Sequence, residues 1–189
     1  MARLPRIQVP GGIFHITARG NRRQPIFLDD GDLEQFLTLF ADVVRRRGWR
    51  CHAYCLMQNH YHLLIETPEA DLSIGLHRLN ACYAQWFNWK HDVDGHLFQG
   101  RFHSVLVESN WHLLELARYI ALNPVRARLC LGPGDWRWSS YVAAIGAVRP
   151  PVFLSLDWLL AQFGSDRPTA RNSYRRFVAD RLPRAWRAT

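Results

Sequence analysis

His60 and His62 stand one residue apart in Gln58-Asn59-His60-Tyr61-His62-Leu63-Leu64-Ile65, and Tyr119 and Asn123 stand four apart in Ala117-Arg118-Tyr119-Ile120-Ala121-Leu122-Asn123-Pro124. The first run is strand-like. Side chains at i and i+2 leave a strand on one face, so both imidazoles can reach a single metal ion. The second run is helical, where i and i+4 share a face. Two imidazoles, a carboxamide oxygen and a phenol form a set suited to metal-assisted phosphodiester chemistry through a covalent tyrosine intermediate. Mixed oxygen and imidazole ligation suits Mg²⁺ or Mn²⁺, with Mn²⁺ the better match to nitrogen. A lone His-x-His is more often packing than ligation, and a tyrosine on an amphipathic helix more often fills core. The conjunction carries the expectation, with His60, His62 and Asn123 as metal ligands and Tyr119 as nucleophile.

These residues need elements to hold them. Residues 13 to 19 alternate as a strand ending at Gly20-Asn21. From Asp29 to Arg47, Leu33, Phe36, Leu37, Phe40, Val43 and Val44 recur at helical spacing behind an Asp30 or Asp32 cap, with Gly48 closing the helix. Residues 49 to 56 and 60 to 66 read as a hairpin through Met57-Gln58-Asn59. Asp71 to Trp89 is helical, Phe102 to Val107 is a strand, and a helix from about Asn110 is expected to stop at Leu122, ahead of Pro124. Strand, helix, strand, strand, helix, strand, helix predicts an α+β fold: a ferredoxin-like antiparallel sheet with helices over one face. Strand parity puts Tyr61, Leu63 and Ile65 toward those helices, and His60 and His62 on the opposite face, toward the helix bearing Tyr119.

A length of 189 residues suits one well-packed domain with an appendage, and 48% hydrophobic content is ample for its core. The division falls at about residue 130, with residues 1–130 as the domain carrying the chemistry and 131–189 as a small helical extension ending in a basic tail. No apolar run approaches a membrane span, and Met1-Ala2-Arg3-Leu4-Pro5-Arg6 has no hydrophobic segment behind it, so a cytoplasmic, nucleoid-associated protein is expected. Four irregularly spaced cysteines suit reduced thiols. A net charge of +8 and a pI near 9.9 favour a polyanionic partner. Only Lys90 is a lysine, so part of the arginine excess is compatible with genomic base composition.

The same residues resemble the single-tyrosine HUH transposases, in particular the REP-associated tyrosine transposases. The likeness extends to His15-Ile16-Thr17-Ala18-Arg19-Gly20-Asn21-Arg22-Arg23, Tyr54-Cys55-Leu56-Met57-Gln58-Asn59-His60, Leu97-Phe98-Gln99-Gly100-Arg101-Phe102 and Arg118-Tyr119-Ile120-Ala121-Leu122-Asn123-Pro124-Val125-Arg126-Ala127, in that order, from about Gly12 to Tyr141. Gln58 stands where the family usually has Pro, and Tyr61 where it usually has a smaller aliphatic. The resemblance implies a DNA-strand transferase and single-strand endonuclease acting on short palindromic hairpins. It further implies a tyrosine ester on the 5′ phosphate and a free 3′ hydroxyl.

Candidate DNA contacts are Arg19, Asn21, Arg22 and Arg23 in one turn and Arg101 after Gly100, where glycine admits a backbone and arginine bonds phosphate bidentately. Residues 165 to 189 hold seven arginines against two aspartates, or +5 of the formal +8. Within them Arg167, Arg171 and Arg175 form a stripe at i, i+4 and i+8, of which Arg171 and Arg175 are the leading DNA contacts. Tyr54, Tyr61, Tyr83 and Tyr141 lack a helical Asn or Gln four residues on and read as core or base-stacking residues. His15, His103 and His112 could reach the site, but such histidines are more often ordinary surface or hydrogen-bonding residues, and they are left out of the ligand set. Competing readings are a Cys51/Cys55/His60/His62 zinc site, a replication initiator or relaxase, and a non-catalytic hairpin-binding protein. Monomer and homodimer are both compatible with the sequence.

Overall fold

The structure, a computed structural model, describes residues 8–182. Arg184 and Arg187 of the basic tail, and the start at residues 1 to 6, lie outside the described residues. Four strands, β1 (Gly12–Arg19), β2 (Arg50–Met57), β3 (His60–Thr67) and β4 (His103–Leu106), form one antiparallel sheet in the order β2-β3-β1-β4. Helices α1 (Asp30–Arg47) and α2 (Leu72–His91) pair on one face, and α3 (Asn110–Arg126) lies across β2 and β3 on the other. This is the ferredoxin-like α+β arrangement read from the element order.

Burial decides the faces. Tyr61, Leu63 and Ile65 are fully buried, Tyr61 packing 4.8 Å from Phe36 of α1 and donating its hydroxyl to Asn80 of α2 at 2.7 Å. The bulk at position 61 is thus absorbed between two helices. Withdrawing a side chain of this class from water contributes roughly 1.5–3 kcal/mol, which fixes the strand register. A one-residue slip would swap the tyrosine with its flanking histidines.

Two expected boundaries shift. The α1 cap is Asp29, whose carboxylate accepts the Asp32 amide at 3.0 Å while Asp32 reaches back to the Asp29 amide, so Asp32 is the partner in a capping box. Helix α3 passes through Pro124 to Arg126. Proline's fixed φ is itself helical, and this close to the end of the helix its missing N–H forfeits a single bond.

Residues after 130 close the sheet's β2 edge. Leu56 N–H donates to the Trp138 carbonyl at 2.9 Å, Ser140 N–H to the Tyr54 carbonyl at 2.9 Å, and Ser155 N–H to the Cys51 carbonyl at 2.8 Å. Trp136 Nε1 adds a bond to the Leu56 carbonyl at 2.9 Å. An open edge invites pairing with another chain, and these bonds cover it. Three further helices follow: α4 (Tyr141–Ala144), α5 (Asp157–Ala161) and α6 (Arg167–Ala179). Ala170, Tyr174 and Val178 of α6 are buried, and Arg118 of α3 donates to the Phe177 carbonyl at 3.3 Å. No helix among the described residues is long and apolar enough to cross a membrane.

Candidate active site

β3 and β1 pair with Thr17 opposite His62 and Arg19 opposite His60, while His103 of β4 lies opposite Thr17. Cross-strand partners share a face, so this register alone gathers His60, His62, Arg19 and His103 on the α3 side of the sheet. Tyr119 closes the group from α3, its ring centroid 5.6 Å from His62 and 6.1 Å from His15. A cavity of about 420 Å³ lies between them, lined by His15, Arg19, His60, His62, Arg101 and Tyr119 among others.

Hydrogen bonds orient the imidazoles. The Asn59 side-chain NH₂ donates to the Arg23 carbonyl at 3.0 Å, which leaves its Oδ1 as the acceptor facing His60 Nδ1 at 2.7 Å. His60 Nδ1 therefore carries the proton and Nε2 carries the lone pair. His62 Nδ1 meets His15 Nε2 at 3.0 Å, and His62 Nε2 is buried without a hydrogen-bond partner. A buried polar atom left unpaired costs about 1–3 kcal/mol, and an imidazole nitrogen in that state fits an ion it can ligate. Burial, joined by the positive potential of His15, His60 and Arg19, lowers His62 to about 2. Burial and Arg19 lower His60 to about 4, and burial with His103 and His112 lowers His15 to about 4. All three are neutral near pH 7, the form that binds metal.

This neutrality has a measurable effect on the metal-free protein. Between the ordinary histidine value of about 6.5 and about 4, the unfolded chain binds protons that the folded chain refuses, so stability must fall as pH drops through that window. The carboxyls of Asp29 and Asp32, held below 3.8, titrate beneath it. Thermal unfolding in chelator should show a lower Tm at pH 5 than at pH 7.5, with a weaker dependence in His62→Asn. A flat or inverted profile would contradict the burial of neutral histidines.

Asn123 is buried one turn beyond Tyr119, and its NH₂ donates to the Tyr119 carbonyl at 3.1 Å. It is not among the residues lining the histidine cavity. A second cavity, of about 340 Å³, lies on the other side of Tyr119 and includes His112, Arg126 and Arg181. The Arg126 guanidinium lies 4.9 Å from the Tyr119 ring centre.

Arg19, Asn21, Arg22 and Arg23 are all exposed. Their turn is sharp: a Cβ at Gly20 would meet the Gln24 carbonyl oxygen at 2.1 Å, and Arg22 and Arg23 take left-handed φ values of 54° and 63°. Through Asn59 this turn is fastened to His60. Arg101 lines the histidine cavity and also a groove of about 660 Å³ beside α2, where it is joined by Asn21 and Gln99. Arg171 is half-buried against Gly146, Arg175 is exposed and bonds Asn172 at 3.0 Å, and Arg167 pairs with Asp157.

His15, Asn59 and His103 are at the site without being singled out by spacing. His15 and His103 had a usable signal, since once β1 and β4 are aligned beside β3 their parity matches that of His62. Tyr54, Tyr61, Tyr83 and Tyr141 are core. The zinc reading fails on geometry. Cys51 and Cys55 are buried, and among the described residues the one set of three His, Cys, Asp or Glu within ligand reach is Asp29, Asp32 and His91. That set lies at the α1 cap, and Lys90 Nζ already bonds Asp29 and Asp32 at 2.7 Å, so its negative charge is internally compensated. A wider depression, about 910 Å³ beside α1 and residues 150 to 157, is lined by charged side chains such as Asp42, Arg45, Arg50 and Arg167 that already have ion-pair partners.

The antiparallel layer, with α1 and α2 on one face and a histidine-rich cavity under α3 on the other, defines an α+β protein. Residues 8–123 match the profile of the IS200-like transposases, and the chain belongs to that family. Among solved structures it is similar to a REP-associated tyrosine transposase bound to a REP hairpin, at 20% identity and a TM-score of 0.66, covering 82% of this chain and 92% of that one. It overlaps less well with a structure from Deinococcus radiodurans R1, at 16% identity, TM-score 0.44 and coverage of 64% and 94%. The corresponding values for the tRNA(His) guanylyltransferase of Saccharomyces cerevisiae are 8%, 0.49, 97% and 86%. No curated protein matches.

Proposed function

We propose that this transposase is a metal-dependent single-strand DNA endonuclease and strand transferase acting on short palindromic hairpins through a 5′-phosphotyrosine intermediate. The carrying observation is the convergence of His60, His62 and Tyr119 on one cavity with Arg19 and Arg101. The hairpin substrate is supported by the fold shared with a protein bound to a REP hairpin. Residues 1–130 are assigned the chemistry and 131–189 the role of an extension.

His60 and His62 would hold Mg²⁺ or Mn²⁺ through Nε2, and Asn123 through its carbonyl oxygen, its NH₂ being engaged with Tyr119. Bound there, such an ion would supply Lewis-acid polarisation of the scissile phosphate and neutralise charge developing in line. Arg19 and Arg101 orient the phosphate by charge-assisted bonds. The Tyr119 oxygen attacks phosphorus, its proton passing to solvent. The bond from phosphorus to the 3′ oxygen breaks, and that oxygen takes up a proton as the free 3′ hydroxyl. Attack on the tyrosyl ester by another 3′ hydroxyl reverses the step and rejoins strands, so the bond energy is conserved and no ATP is needed.

Incubating the protein with Mn²⁺ and a hairpin oligonucleotide labelled on the 3′ side of the cut should give a protein-DNA adduct that survives denaturation. Hairpin binding without any adduct would leave the non-catalytic DNA-binding alternative.

We assign DNA contacts to Arg19, Asn21, Arg22, Arg23 and Arg101, and further contacts to α6 through Arg171 and Arg175. The α6 end also exposes Arg176 and Arg181, and Arg181 approaches the Tyr119 side of α3. Each phosphate contact on a single strand contributes a slope of about −0.7 in log K against log salt. Replacing Arg175, Arg176 and Arg181 together by Ser should therefore flatten the salt dependence of hairpin binding by about two units if all three touch phosphate. An unchanged slope would remove Arg175, Arg176 and Arg181 from the DNA interface. Substitution is the cleaner test, because deleting α6 would uncover core that Tyr174 and Val178 now fill.

A further inference from the structure

We infer that His15 is a positioning residue for His62, accepting the His62 Nδ1 proton so that Nε2 presents its lone pair for ligation; this rests on the metal-binding reading above. A neutral imidazole has one N–H, and a nitrogen that ligates cannot carry it. If His62 Nε2 is the ligand atom, Nδ1 must be the donor. Its neighbour at 3.0 Å is His15 Nε2, which must then be the acceptor, with the His15 proton on its own Nδ1.

Three observations agree with this assignment. His62 Nε2 is buried and has no hydrogen-bond partner in the protein, as a nitrogen reserved for an ion should be. The His15 and His62 rings lie nearly parallel, 11° apart at a centroid distance of 5.2 Å, and with the two nitrogens 3.0 Å apart they meet edge to edge in about one plane, the alignment of an in-plane N–H···N bond. His60 is treated in the same way by a different residue, its Nδ1 proton accepted by Asn59. Each histidine of the pair thus has an acceptor on its Nδ1 side, which leaves Nε2 to carry the lone pair. Outer partners of this kind set the tautomer and ring orientation of ligating histidines, and their loss typically costs about 10- to 100-fold in metal affinity.

The test is Mn²⁺ affinity of the full-length protein by titration calorimetry, without DNA, for wild type, His15→Phe, His15→Gln and His62→Ala, each checked for cooperative thermal unfolding. His15→Phe keeps a planar ring in that place and removes the acceptor; His15→Gln restores an acceptor oxygen. Expected are a loss of about 10- to 100-fold in His15→Phe, partial recovery in His15→Gln, and no binding at this site in His62→Ala. In wild type, nitrogen-detected NMR should find the His62 proton on Nδ1. Unchanged Mn²⁺ affinity in a folded His15→Phe, with binding still lost in His62→Ala, overturns the inference and leaves the metal reading intact. Wild type that binds no Mn²⁺, or binds it equally well after His62→Ala, overturns both. Should His15→Phe unfold, the His62 tautomer and the His15→Gln affinity decide: a proton on Nε2, or a Gln variant no better than His62→Ala, overturns the inference.

Discussion

Tyr119→Phe is expected to abolish cleavage of hairpin DNA, by a factor on the order of 10⁴ or more, as loss of an enzyme nucleophile commonly does. The substitution removes one oxygen and keeps the ring. Packing against His62 at 5.6 Å and beneath the Arg126 guanidinium at 4.9 Å should persist, so hairpin affinity should change little. The covalent adduct should disappear with the cleavage, and peptide mapping of the wild-type adduct should place it on Tyr119. Tyr54, Tyr61, Tyr83 and Tyr141 are poor substitutes because all are buried in the core. Full cleavage by Tyr119→Phe, or an adduct on one of those residues, would refute the assignment.

His60→Ala and His62→Ala should each lower cleavage by about 100-fold or more, beyond the range expected for an outer partner, and excess EDTA should silence wild type. Each removes an imidazole that is already neutral, so no proton has to be displaced for ligation at pH 7. Asn123→Ala should act in the same direction. Its side chain also bonds the Tyr119 carbonyl, so the variant needs two readings. A loss of Mn²⁺ affinity supports ligation, whereas lost cleavage with unchanged affinity would reduce Asn123 to a support for the helix turn that carries the tyrosine. Cleavage that persists in excess EDTA would refute metal dependence for all three residues.

The two surfaces of the sheet are packed differently. Aromatic packing of Phe36, Tyr61 and Tyr83 builds the core beneath α1 and α2, while His60 and His62, each one position from Tyr61, point to the opposite face. The rigid core is therefore directly behind the histidines. Their ring positions are set by strand register and by hydrogen bonds.

Local pattern was enough for much of this. Alternation around His60-Tyr61-His62 determined that the histidines share a face and that Tyr61 opposes them, because side-chain period in a strand is fixed at two. Helical spacing in α1 and the glycine at 48 determined where that helix buries and stops. Element order determined the ferredoxin-like class. Pro124 was misleading as a stop signal, since local rules register its missing N–H but not that the turn can continue when only one bond is lost.

Other properties depended on which strands became neighbours. His15 lies 47 positions from His62, and nothing in either segment's own periodicity specifies their hydrogen bond; it exists because β1 inserts between β3 and β4. The tie from Arg23 through Asn59 to His60 likewise requires the turn after β1 to meet the β2-β3 hairpin. The cover over the β2 edge by residues 136 to 155 is made chiefly by backbone groups, which carry no sequence signature, with the Trp136 indole and the Ser140 hydroxyl adding bonds to Leu56 and Tyr54. Sequence by itself determined which groups could do chemistry and which face of each element they occupy. Tertiary structure decided their partners, their tautomers and their solvation, because hydrogen bonding and desolvation depend on groups distant in the chain that only folding brings within a few ångströms.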